Sequence, residues 1–246
     1  MKRLFDIAIS SIGLVLISPI LLIVMFFVWI NDFGSPFYVA NRTGKNSLSF
    51  KMYKLRSMIV NADRSGVDST ASNDMRITRI GKIIRKFKMD ELSQLINVFL
   101  GDMSLVGPRP NVPRETKLYT TEEQKLLSVR PGITDISSII FSDEGDILKG
   151  SEDPDLLYNQ IIRPYKSYFG LLYLEKQSLS LDIYLLFLTV LAIISKRIAL
   201  NKISRMLETW QVDQSLINVA KRNCALIAIP PPGAKNIVQN RDGRVE

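Results

Sequence analysis

An adjacent pair of carboxylates, Asp90 and Glu91, follows a segment of the chain that carries only positive charges. Between residues 76 and 88 the sequence contains six basic residues and no acidic one, namely Arg76, Arg79, Lys82, Arg85, Lys86 and Lys88. Cations in this number attract anionic groups such as phosphates, and a carboxylate can act as a nucleophile or bind a hard cation. A structural explanation also fits, because acidic residues often begin helices, where they interact with unpaired N–H groups.

The residue types that are missing narrow the chemistry. The chain of 246 residues has no histidine and one cysteine, Cys224, so an intrachain disulfide is excluded, as fits a reducing compartment. The usual general base at neutral pH is absent, as is the commonest ligand of zinc. Catalysis would have to use carboxylates, lysine, tyrosine, hydroxyl groups or an oxygen-bound cation such as Mg²⁺. The formal charge of +8 favours an anionic partner, either phosphate, nucleic acid or the cytoplasmic face of a membrane.

Two arginines lie in rigid turns further along the chain. Arg109 stands between two prolines, and Arg130 precedes Pro131 and Gly132. Proline restricts the backbone beside each guanidinium, whose planar fork suits bidentate binding of phosphate. A proline-rich turn with a solvated arginine is the alternative interpretation of either motif.

The apolar residues around the carboxylate pair follow two helical stripes. The first consists of Ile77, Ile80, Ile84 and Phe87, and the second of Leu92, Leu95, Ile96 and Phe99. At ~100° per residue the stripes are out of phase by roughly 110°, so one straight helix cannot bury both against one surface. The pattern predicts a break near Lys88 and Met89, with Asp90 at the start of a new helix. Upstream, alternation over residues 47–54 and the extended residues 37–39 predict a small β-hairpin, and polar residues 61–74 predict a loop.

The N-terminal segment is strongly apolar. Residues 4–30 carry a single charge, Asp6, and as a helix would be about 40 Å long, enough to cross a bilayer. The apolar stretch is too long for a cleaved signal peptide and lacks its cleavage site. Ser18 and Pro19 predict a kink near its middle. Basic residues flank both ends, so the positive-inside rule favours a helix that dips into the membrane and returns, although a single span with a tolerated proline stays open.

A second apolar run, residues 183–194, is too short to span a membrane. It fits either a buried core helix or a helix lying at the membrane interface. Basic residues follow it at Lys196, Arg197, Lys202 and Arg205. These cations favour the interfacial interpretation, because each would interact with anionic headgroups.

In these stretches the chain resembles the bacterial polyprenyl-phosphate phosphosugar transferases of the small, monotopic type, which initiate capsule, O-antigen and glycoprotein glycan assembly. The resemblance runs from Lys2 to Arg197. It rests on six ordered stretches: KRLFDI, the Ser18-Pro19 pair, FKMYKLRSM, ITRIGKIIRK, MDELSQLINVFLGDMSLVGPRP and VRPGIT. The long run from MDEL to GPRP makes chance agreement implausible.

The resemblance implies a mainly α-helical fold with a small β-hairpin, in a monotopic membrane protein with interfacial amphipathic helices. Residues 1–34 would form a re-entrant helix broken at Ser18 and Pro19, and residues 35–210 a catalytic domain. Residues 211–246 have no counterpart in the family and look like a flexible tail. The expected location is the bacterial inner membrane, with the catalytic domain facing the cytoplasm.

The resemblance also implies a double displacement in which Asp90 is the nucleophile. A UDP-sugar would give its sugar phosphate to Asp90, and polyprenyl (undecaprenyl) phosphate would then accept it. Mg²⁺ would be held by Asp90 and Glu91, while the phosphate groups would be bound by Arg85, Arg109, Lys54 and Arg130. Membrane lipids and a second copy in a homodimer are further expected partners. Nucleic acid is not, because the basic residues do not alternate with aromatic side chains that could stack bases.

One segment departs from the family pattern. After Thr134 many members continue with Gly-Trp-Ala-Gln and then Asn-Gly-Arg, whereas here residues 135–146 include Asp135, Asp143, Glu144 and Asp146. The simplest interpretation of these acids is a solvated loop, and the choice of sugar is left open. Two other functions also stay open, a magnesium-dependent phosphohydrolase and a membrane protein that binds anionic lipid without catalysis.

Overall fold

The computed structural model describes residues 1–62 and 73–240, and this part of the chain is mainly helical. The predicted loop at 61–74 therefore lies largely outside the described residues. The helices are α1 (Lys2–Asp32), α2 (Arg79–Lys86), α3 (Met89–Leu92), α4 (Leu95–Leu100), α5 (Pro113–Thr116), α6 (Thr121–Gln124), α7 (Ile136–Ile140), α8 (Glu144–Ile147), α9 (Pro154–Ile161), α10 (Arg163–Lys176), α11 (Leu179–Ile194), α12 (Lys196–Thr209) and α13 (Gln214–Lys221). Short 3₁₀ helices cover Lys45–Ser47 and Lys125–Ser128. The strands are β1 (Phe37–Thr43), β2 (Ser49–Leu55), β3 (Ser104–Val106) and β4 (Gly132–Thr134).

The predicted hairpin is confirmed, and a buried asparagine joins it to α4. Strands β1 and β2 pair antiparallel, with Phe37 opposite Leu55 and Thr43 opposite Ser49. The Asn97 side chain donates to the Lys51 carbonyl at 2.7 Å and accepts from the Tyr53 N–H at 2.9 Å. Because Asn97 is fully buried, these two bonds satisfy polar groups that would otherwise be costly to bury. They hold β2 beside the helices that carry the carboxylate pair.

The predicted break before the carboxylate pair is also confirmed. Helix α2 ends at Lys86, and Lys88 adopts a left-handed conformation with φ of 54° before α3 begins. The start of α2 is fixed by Thr78, whose hydroxyl accepts the Gly81 N–H at 2.9 Å. The predicted burial of Phe87 is wrong, since its side chain is mostly exposed. The helix has already ended there, so the periodic stripe does not continue to that position.

The principal core lies among α4, β3, α7 and the helices from α9 to α13. Its fully buried members include Val98, Met103, Ile136, Ile140, Phe169, Tyr173, Leu185 and Ile203. The interpretation of residues 135–146 as a solvated loop is wrong. Helix α7 buries its isoleucines in this core, and Asp135 caps the helix by accepting the Ser138 N–H at 2.7 Å.

Helix α1 runs without interruption through Pro19 and contacts the rest of the protein at both of its ends. At the first end, Lys2 Nζ pairs with the buried Asp182 at 2.5 Å and donates to the Val106 carbonyl at 3.0 Å. Asp6 accepts from the Ser104 hydroxyl at 2.8 Å and from a backbone N–H of β3. At the other end, Asp32 accepts two hydrogen bonds from the Arg56 guanidinium.

Between its two ends α1 is largely exposed. Among the described residues it is the one helix long and apolar enough to cross a membrane, judged by length and composition. Leu21 and Val28 pack on Leu55 and Ile84 in a second, smaller hydrophobic cluster. A kink at Pro19 and a re-entrant course stay predictions.

Helix α11 contains the second apolar run and combines features of both interpretations. Leu185 and Leu188 are fully buried in the core, whereas Ile183, Phe187 and Val190 are at least half exposed. One face thus packs within the domain, and the opposite face is apolar and uncovered in the described part of the chain.

The segment beyond residue 210 forms helix α13 and then contacts the earlier helices. Ile217 and Val238 are buried, and the Gln160 side chain donates to the Val238 carbonyl at 2.8 Å. The flexibility of this segment in solution stays a prediction, as does the division of the chain at residues 34 and 210.

Candidate active site

The two adjacent carboxylates have different environments. Both oxygens of Glu91 accept from the Arg109 guanidinium, at 2.9 Å for Oε1 and 3.3 Å for Oε2. Arg109 also donates to the Ile133 carbonyl of β4. Burial opposes ionisation of Glu91, but Arg109, Lys88 and Lys54 outweigh it and lower its pKa. Glu91 is therefore an ionised group that holds Arg109 in a fixed position.

Asp90, in contrast, faces a cavity. Its Oδ1 is buried and has no hydrogen-bond partner among residues 1–62 and 73–240. The carboxylate lines a cavity of about 310 Å³ with Lys54, Arg85, Lys88 and Arg109. A buried carboxylate oxygen without a partner is costly unless another group satisfies it. This cavity is called the donor cavity below.

Burial affects two of the cations in this cavity. It lowers the pKa of Lys54, partly offset by the nearby Asp90. It also lowers the pKa of Arg85, whose Nε donates to the Ser57 hydroxyl at 3.0 Å. Lowered pKa values show that these positive charges are not fully compensated by the folded protein. An anionic ligand would supply the compensation.

The two arginines that follow or precede these short strands have different positions relative to the cavity. Strands β3 and β4 are parallel, with Ser104 opposite Gly132. Arg109 follows the end of β3 and is held by Glu91 and by the Ile133 carbonyl, whereas Arg130 precedes the start of β4. Arg130 is exposed, and its Nε donates to the Gly101 carbonyl at 2.8 Å. The structure thus brings together Lys54, Arg85, Asp90 and Arg109, and places Arg130 elsewhere.

Sequence analysis missed one wall of the donor cavity. Lys166 of α10 pairs with Glu144 of α8 there, and its ammonium lies 5.2 Å from the centre of the Tyr158 ring. Arg42, Asn111, Val112 and Glu115 also line the cavity. No sequence motif marks Lys166, because it lines the same cavity as Asp90 only through the packing of α9 and α10 on the core.

The residues present fit a magnesium ion that is shared with a substrate. Within the described ranges no group of three or more His, Cys, Asp and Glu side chains could enclose a metal. Mg²⁺ commonly binds through one or two carboxylates together with substrate phosphates and water. The unpartnered oxygen of Asp90 offers one such ligand, whereas both oxygens of Glu91 are already bonded to Arg109.

Comparison with known proteins shows the family of this chain. The family model described as bacterial sugar transferase matches residues 1–196. The exopolysaccharide production protein ExoY of Sinorhizobium fredii is 39% identical over 153 residues, which cover 56% of this chain and 68% of that protein. A UDP-glucose:undecaprenyl-phosphate glucose-1-phosphate transferase of Klebsiella pneumoniae is 36% identical over 193 residues, 77% of this chain and 39% of the relative.

A third relative is the UDP-N-acetylgalactosamine-undecaprenyl-phosphate N-acetylgalactosaminephosphotransferase of Aeromonas hydrophila. It is 33% identical over 201 residues, which cover 79% of this chain and 44% of the relative. The matched region thus spans less than half the length of the Klebsiella and Aeromonas proteins. Since the family model covers most of the chain, from the apolar helix through the carboxylate pair to the end of α11, the protein belongs to the bacterial sugar transferase family.

Proposed function

We propose that this protein transfers a sugar-1-phosphate from a UDP-sugar to undecaprenyl phosphate and releases UMP. The observation that carries the proposal is the unpartnered, buried oxygen of Asp90 in a cavity lined by Lys54, Arg85, Lys88 and Arg109. The names of the relatives from Klebsiella and Aeromonas supply the two substrate classes.

In the first half-reaction, Asp90 attacks the β-phosphorus of the UDP-sugar. A bond forms between the carboxylate oxygen and phosphorus, and the bond from phosphorus to the bridging oxygen breaks. UMP leaves with that oxygen and its electron pair, and the sugar phosphate stays on Asp90 as a mixed anhydride.

In the second half-reaction, a phosphate oxygen of the lipid attacks the same phosphorus. The bond between phosphorus and the Asp90 oxygen breaks, which regenerates the carboxylate and releases a diphosphate-linked sugar lipid. Both nucleophiles are already anions, so neither step needs a general base. This agrees with a chain that contains no histidine.

The cations of the cavity stabilise negative charge as it develops on the transferred phosphoryl group and on UMP. Arg109 is held for this task by Glu91, and Arg85 is held by Ser57. Lys54 pairs with no carboxylate within 4 Å in the described part of the chain, so its ammonium is available to a phosphate oxygen.

Magnesium completes this proposal. Asp90 would hold Mg²⁺ together with substrate phosphate oxygens, and Glu91 stays a predicted ligand that would first have to release Arg109. When bound, the ion would act as a Lewis acid and neutralise part of the diphosphate charge.

We further propose that the catalytic domain lies on one face of the membrane, at the cytoplasmic side. Support comes from α1, whose first turn pairs with Asp182 and whose last turn pairs with Arg56 of the same domain. If the helix crossed the bilayer, one of these two ends would lie on the side of the membrane away from the domain that both ends contact.

Cysteine labelling tests this topology in a Cys224→Ser background. A cysteine inserted directly after Met1 and, separately, one in place of Phe33 are treated with a membrane-impermeant maleimide from either side of the membrane. We expect both positions to react from the cytoplasmic side only. Reaction of the two positions from opposite sides would refute the one-sided arrangement.

The activity is tested with a panel of UDP-sugars, undecaprenyl phosphate and Mg²⁺, with UMP and sugar lipid measured together. We expect equal amounts of both products from the wild-type protein and neither from Asp90→Asn. If the protein is a phosphohydrolase, a hydrolysis product should form without the lipid acceptor. If it is a lipid-binding protein without catalysis, the Asp90→Asn substitution should change nothing. Mass spectrometry of the wild type with labelled donor should find the sugar phosphate on Asp90, and its absence during normal turnover would contradict the double displacement.

A further inference from the structure

A second cavity meets the donor cavity at Asp90. It has a volume of about 610 Å³ and lies between the hairpin of β1 and β2 and the segment from Ser57 to Ala62. Both cavities are lined by Lys54, Arg85 and Asp90. The proposed nucleophile and two phosphate-binding cations are thus reached from two directions.

The linings of the two cavities differ in chemical character. Away from the shared residues, the donor cavity is lined mostly by polar side chains such as Asn111, Glu144 and Lys166. The second cavity has polar residues too, such as Asn41, Arg56 and Asn61, but it adds an apolar group that the donor cavity lacks, namely Phe37, Tyr38, Val39, Leu55, Met58, Ile59 and Val60. Ile59 and Val60 are each 53% exposed and Val39 is 46% exposed, so this apolar surface is not buried in the core. It offers contact to an apolar ligand.

The position of the second cavity relates it to the apolar helix. Its lining begins at Gly34 and Ser35, directly after α1 ends. Trp29 in the last turn of α1 and Phe33, the residue that follows the helix, are both exposed. An apolar chain leaving the cavity in this direction would continue along the exposed face of α1.

In a double displacement, the donor and the acceptor use one phosphate site in turn, while the rest of each molecule binds in different surroundings. In-line attack places the acceptor oxygen on the side of phosphorus that UMP has left. The phosphates of UMP and of the acceptor must therefore use the same cations in turn, here Lys54 and Arg85. The rest of the two molecules needs different surroundings, because one is a nucleoside and the other is an isoprenoid chain.

Resting on the proposed function, we propose that the second cavity binds the polyprenyl phosphate acceptor. Its phosphate lies at the shared cations, and its first isoprene units contact Val39, Ile59 and Val60. The donor and acceptor sites are then neighbouring cavities that share the phosphate-binding cations beside Asp90, so the acceptor phosphate takes the place that the phosphate of UMP has left.

The two half-reactions allow a direct test with the full-length protein in nanodiscs. The double variant Ile59→Asn/Val60→Asn places polar groups in the second cavity, and both positions are exposed enough for the fold to tolerate the change. Leu48→Asn is the matched control, since Leu48 is 70% exposed on the same hairpin but lines neither cavity.

The first half-reaction is followed by UMP release and adduct formation with labelled UDP-sugar alone, and the second by chasing the adduct with undecaprenyl phosphate. We expect the double variant to form the adduct within about twofold of the wild-type rate and to raise the KM for the lipid at least about tenfold, as expected from losing apolar contact equivalent to a few methylene groups. Leu48→Asn should match the wild type in both steps.

A short-chain acceptor, farnesyl phosphate, separates this site from general membrane binding. We expect the double variant to show the raised KM with farnesyl phosphate as well, since the first isoprene units make the proposed contacts. A defect seen only with the long lipid, an equal loss in both half-reactions or unchanged kinetics would each overturn the acceptor site. Failure of the proposed function has a different signature, because the wild-type protein would then form no adduct.

Discussion

Replacing Arg109 by methionine should destabilise the protein by leaving Glu91 ionised without its partner. The two side chains are 23% and 22% exposed and share two hydrogen bonds. Two unit charges ~4 Å apart interact by about 4 kcal/mol at an effective dielectric constant of ~20. Partial exposure reduces this, so we expect a loss of about 2–3 kcal/mol from Arg109→Met and a similar loss from Glu91→Gln.

The double variant Arg109→Met/Glu91→Gln should lose no more stability than either single variant, because it leaves no uncompensated charge. The pair should therefore show a coupling free energy of about 2 kcal/mol. Thermal unfolding in nanodiscs measures this, since a change of about 2 kcal/mol shifts Tm by roughly 4–8 °C in a chain of this length. The exposed pair Glu122 and Lys125 is the matched control, with coupling below about 1 kcal/mol.

The pH dependence gives a second check on the same pair. The pKa of Glu91 is lowered in the folded protein, so its contribution to stability is complete above the ordinary value of 4.5 and is lost as the pH falls through the lowered value. The difference in Tm between the wild type and Arg109→Met should thus be constant between pH 5 and pH 8. Additive losses in the cycle, or a difference that disappears within this range, would refute the assignment of Glu91 as the fixed partner of Arg109.

Three further predictions concern the walls of the donor cavity. Lys54→Met should lower kcat/KM about a hundredfold. It should leave Tm unchanged or higher at pH 7, because burial lowers the pKa of Lys54 and the charged ammonium therefore costs stability below that pKa. A lower Tm would contradict this. Gly132→Ala should destabilise the protein by at least about 2 kcal/mol in chemical unfolding. The Cβ of the alanine would lie 2.1 Å from the Gly107 nitrogen and would force β3 and β4 apart. An unfolding midpoint equal to that of the wild type would show that the strands can separate freely. Lys166→Met should raise the KM for UDP-sugar about tenfold, because it removes a charged hydrogen-bond donor from the cavity. Lys149→Met, at an exposed position beyond the end of α8, should leave this KM unchanged. Equal KM values for the two variants would exclude Lys166 from the site.

Local patterns in the sequence predicted the elements that depend on neighbouring residues. The change of phase between the two apolar stripes placed the break at Lys88, because each stripe must face a surface within its own helix. The alternation before Lys54 predicted β2 for the same reason. These signals act over a few residues and need no knowledge of the tertiary fold.

The remaining errors have a common physical cause. Lys166 and Glu144 reach the cavity because α8, α9 and α10 pack on a shared core, and a single sequence does not encode that proximity as a local pattern. Arg130 was grouped with Arg109 because both stand beside prolines. In the structure Arg109 is held by Glu91 and lines the cavity, whereas Arg130 donates to the Gly101 carbonyl, and such long-range contacts leave no local pattern in the sequence. The acids after Thr134 suggested a loop, although the isoleucines between them complete the core.

The ion pair between Lys2 and Asp182 also constrains how the protein is made. Its partners are 180 residues apart, so Lys2 gains this contact only after α11 has been synthesised. Helix α1 is therefore synthesised well before the residue that pairs with Lys2. Cutting the chain after residue 34 should therefore destabilise the remaining domain, because Asp182 would lose its ion pair with Lys2 and the polar groups of β3 would lose Asp6.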